Sequence, residues 1–262
     1  FNIFPLVLVK HKFIKTNQYL NKMKKSIVFI IAILSLNSTD ALAQNWKKVK
    51  GNGNVITQQR SVGSFDAVEA AGSFDIYLVK GNEGEMTIQG DENLMEYLET
   101  EVKNGDLKIK WKKGYSINTV NQFVVTLAIE EINGLSLSGS GKIESKIPLI
   151  SDHFSTSVSG SGDMMLTIEA NELEVAISGS GNIDFEGVVN KFDASVSGSG
   201  DINAKNLKCK MANLRISGSG GAYLDVSDEL FARVSGSGDI KYKGDPAKQD
   251  VKVSGSGKVT KM

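Results

Sequence analysis

One tetrapeptide governs what this chain can fold into. Ser-Gly-Ser-Gly begins at Ser138, Ser159, Ser178, Ser197, Ser217, Ser235 and Ser254, at steps of 21, 19, 19, 20, 18 and 19 residues. A period near twenty, held over 116 residues, signals stacked supersecondary units, none of which can bury a core alone. Fourteen of the 27 glycines belong to the motif: Gly139, Gly141, Gly160, Gly162, Gly179, Gly181, Gly198, Gly200, Gly218, Gly220, Gly236, Gly238, Gly255 and Gly257.

The residues around each copy alternate with period two, which is the period of a strand. In the fourth copy, an inward Val196 puts Gly198, Gly200 and Ile202 inward and Ser195, Ser197, Ser199 and Asp201 outward. Val175, Ile177, Gly179, Gly181, Ile183 and Phe185 keep the same phase in the third copy. An inward glycine pair needs a cause. Either the core narrows there, or the backbone bends through positive φ. Both place the motif at a corner.

Nineteen residues exceed a tight hairpin repeat, and no Asn-Gly or Asp-Gly turn recurs at the repeat period. The period fits one coil of a solenoid, with two or three short strands joined by bends and parallel pairing to the next coil about 4.8 Å away. The expected fold is therefore all-β: a single-domain, right-handed parallel β-helix over 61–262, with its regular repeats over 135–260. The outward position after the motif reads Lys142, Asp163, Asn182, Asp201, Gly221, Asp239, Lys258. Asp never lies directly above Asp, which avoids repulsion and does not build a calcium column. The outward serines are expected to form hydroxyl ladders between coils.

Residues 61–134 carry a weaker form of the pattern. Ala71–Leu78 reads as a degenerate copy, and Leu107–Trp111 and Phe123–Leu127 read as strands. Gly90–Leu98 reads as a helical turn near 91–99 with Asp91 as N-cap. Residues 44–60 read as an N-terminal linker.

Upstream, Met23-Lys24-Lys25, an apolar stretch from Ile27 to Leu36 and Ala41-Leu42-Ala43 compose a secretory signal over 23–43, cleaved after Ala43. Residues 1–22 then read as an over-extended reading frame. An apolar stretch of ten residues rises about 15 Å as a helix, too short for a bilayer core of about 30 Å. The chain from Gln44 onward carries 24 basic and 29 acidic residues, a net charge near −5. That balance gives no electrostatic footprint for nucleic acid. One cysteine, Cys209, excludes a disulfide framework, and two histidines with one cysteine exclude a dedicated Cys/His zinc site.

The glycines do not make a phosphate loop. Gly141-Lys142 is followed by Ile143, and Ser136 stands where a phosphate loop needs its first glycine. Asn203 and Lys241 stand where a dinucleotide fingerprint needs glycine. His153 beside Asp152 reads as a solvated bend, since no nucleophile is placed against it. Asp163, Asp201 and Asp239 recur with the repeat, which marks ladder positions and not a unique catalytic pair. No cofactor or metal is expected. Tyr223, outward after Gly221-Ala222, is the candidate contact for a sugar ring.

Phe65-Asp66-Ala67-Val68, Ser73–Leu78, Gly90–Leu94, Glu101–Ile109 and the Ser-Gly-Ser-Gly series together resemble the secreted bacterial family of auto-transporter adhesin, head GIN domain proteins. The resemblance covers about 61–262. It implies a β-helix-like fold, an export signal and an adhesin label, with no catalytic or ligand residue to transfer. The functional expectation is an exported, non-enzymatic binding module of the cell envelope or surface. The alternatives are a periplasmic component of envelope stress or polysaccharide handling, and a β-helix carbohydrate-active enzyme. Expected partners are a glycan or another envelope protein. Self-association through the last coil is a further expectation, because Val251–Val259 would present unpaired edge groups.

Overall fold

Each repeat forms one coil, and the coils stack in register. In the computed structural model, which describes residues 46–262, strands Asp163–Gly179, Asn182–Gly198, Ile202–Gly218 and Ala222–Gly236 pair in parallel, each with the next. The result is a β-solenoid of about seven turns. The expected signal at 23–43, its cleavage after Ala43 and the upstream 1–22 lie outside the described residues.

Each coil turns at the glycine corner and bends again along its long strand. Along Asp163–Gly179 the buried positions are Met164, Leu166 and Ile168, then Leu173, Val175 and Ile177. The phase flips between Ile168 and Leu173, where Asn171 turns outward. The next coil repeats the flip at Asn190, whose amide donates to Asn171 Oδ1 at 2.9 Å. The sheet ladder runs on through this bend, so the coil holds one long curved strand where two or three short ones were expected. The strand ends at the glycine corner, and the ladder shifts register between Asp184 and Glu186, between Ala204 and Lys208 and between Cys209 and Met211.

At that corner both physical causes operate, positive φ at the first glycine and close packing at both. Gly198 has φ +124°, a region that side-chain-bearing residues avoid. Its carbonyl accepts Ser219 N–H at 2.8 Å and Gly220 N–H at 3.2 Å from the coil above. Gly200 is the packing case, because a Cβ there would lie 2.2 Å from Gly181 O and 2.7 Å from Ile177 Cγ2. The first glycines form one file, Gly139, Gly160, Gly179, Gly198, Gly218, Gly236 and Gly255. The file continues down to Gly72, which stacks under Gly139 and shows the Ala71–Leu78 segment to be a true corner.

The column after the corner is a working ladder. Asp163 Oδ1 accepts Asn182 N–H and its side-chain amide, both at 3.0 Å. Asn182 Oδ1 accepts Asp201 N–H at 3.1 Å, and Asp239 Oδ1 accepts Lys258 N–H at 2.8 Å. The corner turns these N–H groups away from the ordinary ladder, and the side chain of the coil below supplies their acceptor. The corner serines do not form the expected hydroxyl ladders. Among the described residues the one Ser-to-Ser bond joins Ser136 and Ser157 at 2.8 Å, upstream of the motif. The corner serines are exposed to solvent.

The N-terminal part departs from the parallel pattern. Ala67–Gly72 and Asp75–Lys80 make a coil with Gly134–Gly139 and Lys142–Ser145 on one side. Asp106–Trp111 and Val124–Ile129 lie on its other side. Antiparallel strands then close that end. Glu85–Asp91 pairs with Val124–Ile129, Val55–Ser61 with Glu85–Asp91, and Leu98–Lys103 with Asp106–Trp111. The linker expected at 44–60 is therefore corrected. Lys47–Lys50 and Val55–Ser61 are strands, the first pairing in parallel with Tyr115–Asn118. Trp111 sets the floor of this cap, its ring edge-on to Phe74 and Phe123 at centroid distances of 5.7 and 4.9 Å.

The short helix is a 3-10 turn over Glu92–Tyr97, and Asp91 does not cap it. The buried Asp91 carboxylate instead accepts Gly53 N–H at 3.1 Å, Val120 N–H at 2.8 Å, Asn121 N–H at 3.3 Å and Asn121 Nδ2 at 2.9 Å. It thereby ties two loops of the cap together. Gly51 has no room for a Cβ, which would collide with Asp91 Oδ2.

Candidate functional site

Two residues before each motif lies an outward position flanked by buried neighbours, such as Leu214 and Ile216 around Arg215. The register makes it a file: Ser136, Ser157, Ala176, Ser195, Arg215, Arg233, Lys252. Small residues fill four coils. Three cations fill the last three. Like charges in adjacent coils, about 4.8 Å apart, repel each other, and the aspartate column avoids that arrangement. Among the described residues the file of cations is the one place where stacking of like charge runs through three coils.

Arg233 is partly neutralised. Its guanidinium meets Asp250 Oδ2 at 2.5 Å and donates to Asp250 O at 2.7 Å. The hydrogen bond from Arg233 holds the Asp250 carboxyl below its ordinary range. Arg215 and Lys252 form no ion pair among the described residues. The three side chains line a cavity of about 480 Å³ together with Ser217, Ser235 and Ser254.

A second hollow of about 350 Å³ adjoins the first and shares Arg215 and Arg233. Phe231 and Met211 give it an apolar floor, and Met211 is 40% exposed. Lys248 Nζ lies 5.1 Å from the Phe231 ring centroid. The acids at its rim are already paired, Asp193 with Lys191 at 2.7 Å and Glu229 with Lys248 at 3.0 Å. Their charge is spent locally, and that of Arg215 is not. The whole C-terminal part shares this sign. Residues 201–262 hold 11 basic and 7 acidic residues, whereas 44–200 hold 13 and 22.

Tyr223 stands outside both hollows, on the far side of the glycine corner. Its half-buried ring carries Lys205 Nζ at 4.3 Å and Lys241 Nζ at 5.5 Å from the centroid. Those ammonium groups occupy the face that a sugar would stack on. His153 is exposed and meets Glu172 Oε2 at 3.3 Å on the next coil, beside Lys191 at 3.8 Å from Glu172 Oε1. Cys209 is buried, and burial pushes its thiol up to about 12. Among the described residues no cluster of three or more His, Cys, Asp or Glu is placed to hold a metal ion. The fourteen motif glycines shape the corner and contact no hollow except through the serines beside them.

The sequence reading passed over the Arg215, Arg233, Lys252 file. Its signal was present. Aligned on the motif, the position two before the first serine reads Arg, Arg, Lys in the last three copies.

Solved structures share this architecture. A "putative adhesin" from Bacteroides fragilis superposes with a TM-score of 0.77 at 24% identity, over 82% of this chain and 100% of that one. A "putative lipid binding protein" from Parabacteroides distasonis gives 0.69 at 26% identity over the same shares. A "putative adhesin" from the same species gives 0.65 at 26%, again over 82% and 100%. Among curated proteins, none matches this sequence. The family described as "putative auto-transporter adhesin, head GIN domain" matches residues 64–246, and with its glycine-cornered coils this chain belongs to that family.

Proposed function

We propose that the protein is an exported, non-enzymatic binding module of the cell envelope or surface. Family membership supports a binding role, and the leader-like segment at 23–43 supports export. The observation that carries the reading is the in-register file Arg215, Arg233, Lys252 beside the serine file. Groups repeated at one spacing suit a partner that is itself repetitive. A catalytic site would need unlike groups converging on one point.

The test is retention of the purified protein on envelope material from its own cells. Saturable binding, lost after digestion of the envelope polysaccharides, is the expected result. Absence of binding to any envelope or surface fraction, or turnover of those polysaccharides by the protein, overturns the reading.

A further inference from the structure

We propose that the two adjoining hollows on the last three coils bind a linear anionic glycan lying along the solenoid axis. This inference rests on the binding function proposed above and names its ligand class. The cation file supplies charges about 4.8 Å apart, close to the length of one sugar residue in an extended chain. Successive acidic groups of such a polymer would meet Arg215, Arg233 and Lys252 in turn.

Three observations on this face converge. Asp250 offsets the charge of the middle cation, Arg233, and an added anion would offset those of Arg215 and Lys252 on either side of it. Among the described residues Arg215 and Lys252 form no ion pair, so their donors are available to carboxylate or sulfate. The ring of Phe231 beside them already carries Lys248 Nζ, 5.1 Å from its centroid, and so adds a cation to this face, while Ser217, Ser235 and Ser254 offer hydroxyls on the opposite side. Hydroxyl partners and spaced cations together match an acidic sugar better than a bare phosphate polymer, which would leave the hydroxyl file unused.

The file itself supplies the variants. Ser195 occupies the same position one coil below Arg215, so Arg215→Ser and Lys252→Ser install a residue this site already accommodates. Lys243→Ser is the charge-matched control, since Lys243 is exposed and lines neither hollow. Affinity electrophoresis in gels containing polygalacturonate or chondroitin sulfate, with dextran and single-stranded DNA as comparison polymers, reads binding directly.

Retardation by the two anionic glycans and not by dextran is expected. Arg215→Ser and Lys252→Ser should each weaken it about tenfold, the weight of one charge-assisted hydrogen bond. Lys243→Ser should leave it unchanged, and Arg215→Lys should retain most of it. Equal binding by single-stranded DNA overturns the glycan assignment in favour of a general polyanion site. Undiminished retardation of both serine variants, or no retardation of the parent protein, overturns the site. If envelope binding persists through either result, the binding function stands and only this ligand falls.

Discussion

Asp201 Oδ1 accepts the backbone N–H of Gly221 at 2.6 Å, from one coil to the next. The residue after the corner is thus chosen for a side-chain oxygen that reaches upward. Asn182 makes the same contact with an amide oxygen, so the acceptor and not the charge is expected to carry it. Asp201→Ala should lower stability by about 1 kcal/mol, the usual weight of one such bond, while Asp201→Asn should be near neutral. Urea unfolding midpoints separate the two. Equal losses in both variants would show that the carboxylate acts through charge.

Gly198→Ala should be far more costly than its size suggests. The new methyl would meet Gly179 O at 2.3 Å, and φ +124° disfavours any side chain. A loss of about 2–4 kcal/mol is expected from strain and backbone displacement. The exposed Ser199 beside it should tolerate alanine within about 0.5 kcal/mol. Thermal melts of the pair test whether the corner is held by the glycine conformation.

Asp91 makes cap stability depend on pH. Burial alone would raise its carboxyl, but the Asn121 side chain and the N–H groups of Val120, Asn121 and Gly53 outweigh that and hold it below the ordinary value. The folded carboxyl is therefore the stronger acid. Its contribution is full above the unfolded value, about 3.9, and fades as pH falls through the folded one. Asp91→Asn should cost about 2–3 kcal/mol at pH 7, since an amide turns a donor toward N–H groups. The gap to the parent protein should narrow towards pH 3. A gap of constant size from pH 7 to pH 3 would refute the carboxylate's role.

Cys209 should be inert in the folded state. Its Sγ lies 3.2 Å from Asp225 O, and its thiol stays protonated throughout the physiological range. An aromatic disulfide reagent at pH 8 should label it only after denaturant is added. Rapid labelling of native protein would mean that the coils around Val226 and Leu207 open readily.

The solenoid was legible because its signals are local and repeated. The period of Ser138 to Ser254 set the coil length, and the phase of Val196, Gly198 and Ile202 set the inward face. The cap was less legible because its pairings are distant. Val55 meets Asp91, and Gly72 stacks under Gly139. One local clue was there, since Asn104-Gly105, with φ of 56° and 87°, is the hairpin turn before Asp106. Asp91 looked like a helix cap because it precedes a helical turn. Its true partners, Val120 and Asn121, lie about thirty positions away, where no spacing rule reaches. The cation file was missed for the opposite reason. Each member looks like an ordinary surface charge, and only register turns three of them into a neighbourhood.

The order in which the base is laid down matters for a chain of near-identical repeats. The segment Ala67–Lys80 offers two edges, and the very next stretch, through Ile129, occupies one of them. Everything made afterwards finds a single landing edge. The solenoid therefore extends in one direction only from this base, and the base itself cannot serve as a second site of growth.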